Sequence, residues 1–132
     1  MQEFPWTALV TLIALVVYLF MGISVGRARA RYDVPAPGMT GHPQFERFFR
    51  VQMNTLEWLP IFLPALWLFA FYRGDMLAAE IGAVWIVGRV LYMILYTRDP
   101  KSRSAGFLIQ ALAALALIIG AFMGVIHTLT TH

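Results

Sequence analysis

The sequence reads as an all-α integral membrane protein, one domain over residues 1–132 built as a four-helix bundle. Three observations carry that reading. Hydrophobic residues make up 60% of the chain and charged residues only 13%, against roughly 25% charged in an ordinary soluble domain. Two stretches, Phe4 to Gly26 and Ser104 to Ile126, contain no Asp, Glu, Lys, Arg or His. Between them lie two further apolar stretches with a few charges each, so four crossings of about 20 residues account for most of the chain and leave only short connections.

The first helix is placed at about residues 4–26, enough to cross a hydrocarbon layer of about 30 Å. Glu3 stands where a cleaved signal would carry positive charge, and the apolar run is long, so this helix is expected to be permanent. Residues 27–44 hold Pro35, Pro37, Gly38, Gly41 and Pro43, which predict a loop. The second helix, about 45–72, carries Arg47, Arg50 and Glu57; Pro60 and Pro64 cannot donate backbone hydrogen bonds, which predicts a bend just beyond Glu57. A tight turn near 73–75 leads to the third helix, about 76–96, which contains Glu80 and Arg89. The connection over 97–103, with Pro100, Arg98, Lys101 and Arg103, precedes the fourth helix at about 104–127. Of the ten Lys and Arg residues, five fall between Arg27 and Arg50 and three between Arg98 and Arg103. The first and third connections are therefore expected on the cytoplasmic side, with both termini opposite. The pairs Gly22/Gly26 and Gly120/Gly124 have the spacing of close helix contacts, which serves packing within one chain as readily as contact between chains.

Composition also limits the chemistry. A net charge of +3 is a thin excess, and no nucleic-acid partner is expected. With no cysteine, the chain has no disulfide, thiolate metal ligand or thiol nucleophile of its own. Any thiol chemistry must use a thiol that the substrate brings. His42, His127 and His132 are scattered, so no metal site is expected. Neither a glycine-rich phosphate loop nor a serine-histidine-acid spacing is present.

One constellation stands out. Arg50, Asn54 and Glu57 are spaced i, i+4, i+7 and so form a polar stripe on one face of the second helix. Arg89, Tyr92 and Tyr96 form a similar stripe on the third. An ionised side chain at depth costs at least ~2.5 kcal/mol, so Glu57 needs a partner or a wet cavity. An ion pair between helices, with Arg89 for example, meets that need as well as a ligand does. Several guanidinium groups, one carboxylate, an amide and phenols also suit a small zwitterionic peptide, with arginines clamping its carboxylates and Glu57 its ammonium.

The pattern Phe45-Glu46-Arg47-x-x-Arg50-x-Gln52-x-Asn54-x-x-Glu57, the proline-rich first loop, and Arg89-x-x-Tyr92-x-x-x-Tyr96 followed by Arg103 together resemble the MAPEG family, the membrane-associated proteins of eicosanoid and glutathione metabolism. The resemblance covers nearly the whole chain and lies nearest the branch of microsomal and leukotriene-forming glutathione transferases. It implies a homotrimer with glutathione sites between protomers on the cytosolic side. By motif position, Arg50, Asn54, Glu57, Tyr92 and Tyr96 would hold glutathione from one protomer, with Arg29 and Gln52 from the next. Arg103 takes the position that faces the glutathione sulfur and is the expected catalytic residue. Trp58 stands where the leukotriene-forming enzyme has a glutathione-contacting tyrosine, and an indole N–H only partly replaces that phenol. A general glutathione transferase, possessing peroxidase chemistry as an alternative outlet, fits this departure better.

The implied reaction has glutathione as co-substrate and a lipophilic electrophile or lipid hydroperoxide arriving from membrane lipid. Without the family pattern, Arg103 would read as a loop cation. Two other readings remain at this stage. A non-catalytic lipid-binding protein of the same fold would not need Arg103 and the full polar stripe. A four-helix proton-coupled exporter would place its essential glutamate in the first helix, which has none beyond Glu3. Compact loops are compatible with a bacterial inner membrane.

Overall fold

A computed structural model describes residues 3–132, and among these every regular element is helical. Helix α1 spans Pro5–Tyr32, α2 Pro43–Arg73, α3 Asp75–Arg98 and α4 Ser104–Thr130, with a 3-10 turn at Pro100–Ser102 between α3 and α4. All four long helices are long and apolar enough to cross a membrane. Large apolar side chains such as Leu12, Val16 and Leu19 on α1, and Leu112, Ile119 and Phe122 on α4, point outward. Such an apolar exterior is unfavourable in water and matches lipid.

Helix α1 is longer than the sequence predicts. The run Arg27–Tyr32 is helical and not loop, because alternating Arg and Ala are good helix formers and the first true breaker is Pro35. The helix stops at Asp33, which adopts a left-handed conformation (φ 55°) and donates its N–H to the Arg29 carbonyl. Helix α2 starts at Pro43, where a missing N–H costs nothing, and His42 Nδ1 accepts from Gln44 N at 3.1 Å. It then runs without a break through Pro60 and Pro64.

Glycines set how closely the helices approach. A Cβ on Gly88 would lie 2.6 Å from the backbone N of Gln110, and one on Gly106 would strike the Tyr92 backbone, so α3 and α4 cross nearly in backbone contact. The Gly120/Gly124 pair is used within the chain, where it receives the Phe69 ring and Tyr72 from α2. A Cβ on Gly26, by contrast, would meet open space. The core between the helices centres on Phe62, Leu66, Trp85 and Leu117, with the Phe62 and Trp85 rings stacked at 3.9 Å.

Polar ties close both ends of the bundle. At one end Asp75, the first residue of α3, accepts from Trp6 N at 3.1 Å and Thr7 N at 2.7 Å, so a carboxylate from another helix caps α1, whose own N-cap residue Phe4 makes no side-chain cap. At the other end Arg47 Nη1 donates to Arg98 O at 3.1 Å and Gln44 Nε2 to Thr97 O at 2.9 Å. The last carbonyls of α3 thus find donors near the start of α2.

Candidate functional site

Residues predicted from sequence meet at the end of the bundle where the 33–42 loop and the 3-10 turn lie. A cleft of about 480 Å³ is lined by Arg50, Asn54 and Glu57 from α2, Tyr92 and Tyr96 from α3, and Arg103. Met39, Thr40, Phe49 and Met53 complete its wall. The stripe on α2 and the stripe on α3 therefore face each other, as helical spacing requires once α2 and α3 are neighbours.

Each polar group is held locally. The Tyr92 and Tyr96 rings sit 5.4 Å apart, and the Arg103 guanidinium lies 5.8 Å from the Tyr96 ring centre. Arg103 is the residue before α4, and its Nη1 donates to Pro100 O at 2.7 Å, so the 3-10 turn aims it. The close crossing at Gly106 sets the start of α4 against Tyr92 and brings that cation to the tyrosines. Arg50 and Glu57 are exposed in the cleft, free to meet a ligand.

Arg89 does not make the ion pair with Glu57 that the sequence left open beside a ligand site. It is completely buried between α2 and α3; Nη1 donates to Asn54 Oδ1 at 2.9 Å and Nη2 to Thr55 Oγ1 at 2.6 Å. Its guanidinium lies 4.6 Å from the Tyr92 ring centre. Glu57 is left to the cleft. Thr55, a neighbour of the stripe, was invisible as a site residue because a buried threonine in a helix usually bonds only its own backbone; Thr55 does so, to Val51 O at 2.8 Å, and holds Arg89 as well. Met39 and Thr40 also lacked a signal, since a loop's fold over a helix is not encoded in periodicity.

Three sequence-predicted residues lie outside this cleft in the single chain. Arg29 Nη1 donates to Val34 O at 3.2 Å and Gly38 O at 2.7 Å and stacks over Phe45 at 4.9 Å, tying down the proline-rich loop. Gln52 faces α1, where a Cβ on Gly22 would come within 3.2 Å of its Nε2. Trp58 packs edge-on against Phe107 at 5.7 Å, beside the core. A larger cavity of about 750 Å³ beside the end of α1 holds Arg27, Arg31 and Tyr32 but no carboxylate for an ammonium group, and none of the predicted site residues.

Chemically, the 480 Å³ cleft offers two cations, one carboxylate, an amide and two phenols beside apolar side chains. Four membrane-length helices with such a cleft at one end define an integral membrane protein. The match is to the MAPEG family over residues 7–123, and the chain belongs to that family. It is 47% identical over 127 residues to an uncharacterized protein of Synechocystis sp., covering 96% of this chain and 93% of that one. It is 40% identical over 103 residues to human microsomal glutathione S-transferase 2, covering 77% and 70% of the two chains. Leukotriene C4 synthase of Cavia porcellus is 34% identical over 125 residues, covering 95% of this chain and 83% of its own.

Proposed function

We propose that this protein is a membrane-bound glutathione transferase that activates the glutathione thiol as a thiolate. The observation that carries the reading is the convergence of Arg103, Tyr92 and Tyr96 with Arg50, Asn54 and Glu57 in one cleft. Arg50 clamps a glutathione carboxylate, Asn54 donates to a second acceptor, and Glu57 takes the ammonium. The name of the human relative, microsomal glutathione S-transferase 2, supports a glutathione-using activity.

A thiol with a pKa near 8.5 is only a few per cent ionised at pH 7, and the thiolate is the nucleophile. Lowering that pKa by about two units takes ~2.7 kcal/mol of preferential thiolate stabilisation. Arg103 supplies it as a guanidinium at the start of α4, where the helix adds its own partial positive charge. Tyr92 or Tyr96 adds a phenol hydrogen bond. The sulfur then forms a bond to an electrophilic carbon and displaces its leaving group or opens its ring. With a lipid hydroperoxide it attacks the distal oxygen instead, breaking the O–O bond to give the lipid alcohol and glutathione sulfenic acid, which a second glutathione, the reductant, converts to glutathione disulfide and water. The apolar wall of Phe49, Met39 and Met53 receives the lipophilic partner from the bilayer.

In this reading the protein works as a homotrimer in a bacterial inner membrane with the cleft toward the cytoplasm. Arg29 and Gln52 reach a neighbouring protomer's glutathione, and Trp58 borders the site from behind Phe107. The test is an ultraviolet difference spectrum of the purified protein on adding glutathione at neutral pH. A thiolate band is expected in the wild type, and Arg103→Ala is expected to bind glutathione yet lose most of the band and of turnover. A mutant that turns over normally removes Arg103 from the mechanism. Absence of both a band and glutathione binding in the wild type would favour a lipid-binding protein.

A further inference from the structure

Arg89 bears a charge, is completely buried, and yet bonds two neutral oxygens. A guanidinium has donors only. The atom of Asn54 that faces it must therefore be the carbonyl Oδ1, and the amide nitrogen of Asn54 must point the other way. Asn54 lines the cleft, and its Nδ2 has no hydrogen-bond partner among the described residues.

We propose that Arg89 is a positioning residue: by occupying Asn54 Oδ1 it makes Asn54 an obligate donor toward the cleft. Two features hold the arrangement in one orientation. The Thr55 hydroxyl spends its proton on Val51 O at 2.8 Å and so can only accept from Arg89. The Tyr92 ring, 4.6 Å from the guanidinium centre, closes the remaining face. The cleft consequently recognises an acceptor at Asn54, namely a carboxylate or a peptide carbonyl, and rejects a donor there. A neutral amide free to flip would accept either. Which ligand supplies the acceptor rests on the glutathione reading above; the orientation of the amide does not.

Asn54 is the only asparagine in the 132-residue chain, so labelling with 15N-asparagine yields a single side-chain amide signal. A charge-assisted bond to Oδ1 strengthens the C–N partial double bond. The wild-type amide is expected to rotate more slowly than that of free asparagine, and Arg89→Met is expected to speed rotation and shift the 15N signal upfield. Rotation in the wild type as fast as in free asparagine overturns the proposal, and so does an unchanged signal in a folded Arg89→Met protein. Asn54→Asp provides a second arm that does not disturb Arg89. The carboxylate gives Arg89 an ionic partner, so thermal stability is expected to hold, but both donors toward the cleft are gone and the glutathione Kd is expected to rise by about ten- to a hundredfold. A purely structural tie between α2 and α3 predicts no such loss, and wild-type glutathione affinity in Asn54→Asp overturns the proposal. Failure of the wild type itself to bind glutathione removes the glutathione reading instead, while the amide signal still decides the role of Arg89.

Discussion

At the scale of single residues, the site divides cations by burial. Arg50 and Arg103 face the cleft, whereas Arg89 is sealed behind it and Arg47 caps α3. Glu57 is the one carboxylate among the cleft residues, so under the proposed function it alone would meet the glutathione ammonium. Glu57→Gln is expected to raise the KM for glutathione about tenfold while changing kcat far less, because the charge contact is made in both ground state and transition state. A steady-state titration of glutathione at saturating electrophile checks this, and an unchanged KM would remove Glu57 from binding. The Arg50, Asn54, Glu57 stripe was legible because helical spacing is local. The partner of Arg89 was not, since which oxygen a buried guanidinium meets depends on how two helices are docked, and Thr55 carries no charge to advertise itself.

At the scale of elements, the number of helices followed from the length of the apolar stretches, but their ends and ties did not. Arg27–Tyr32 was legible only as a basic stretch before prolines, and it continues α1 because nothing in it opposes a helix. The capping of α1 by Asp75 joins groups that lie far apart in sequence, which no local pattern reports. Removing that carboxylate leaves the N–H groups of Trp6 and Thr7 without their acceptor at the end of the bundle remote from the cleft. Asp75→Ala is therefore expected to lower Tm by a few degrees, with Asp75→Asn recovering part of the loss and glutathione affinity unaffected. Thermal denaturation in detergent with and without glutathione separates these effects; an unchanged Tm in Asp75→Ala would show that water satisfies those groups equally well. The Gly88 and Gly106 crossing has a different role, since it brings the start of α4 to Tyr92 and so gives Arg103 its place.

At the scale of the whole molecule, the cleft of a single chain gathers Arg50, Asn54, Glu57, Tyr92, Tyr96 and Arg103 but leaves Arg29 and Gln52 outside it, and α1 presents a broad apolar face. If the neighbouring protomer uses those residues, the particle in detergent should contain three copies of the 14.9 kDa chain. Light scattering corrected for bound detergent measures this directly, and a monomer active toward glutathione would remove Arg29 and Gln52 from the site. The cleft itself mixes charged groups with Phe49, Met39 and Met53, and under the proposed function this mixture would determine how the reaction scales with its surroundings. One reactant is then counted per litre of water and the other per area of bilayer. Inert phospholipid added to the membrane would dilute the second without touching the first, so turnover would follow the mole fraction of substrate in lipid and not its bulk concentration.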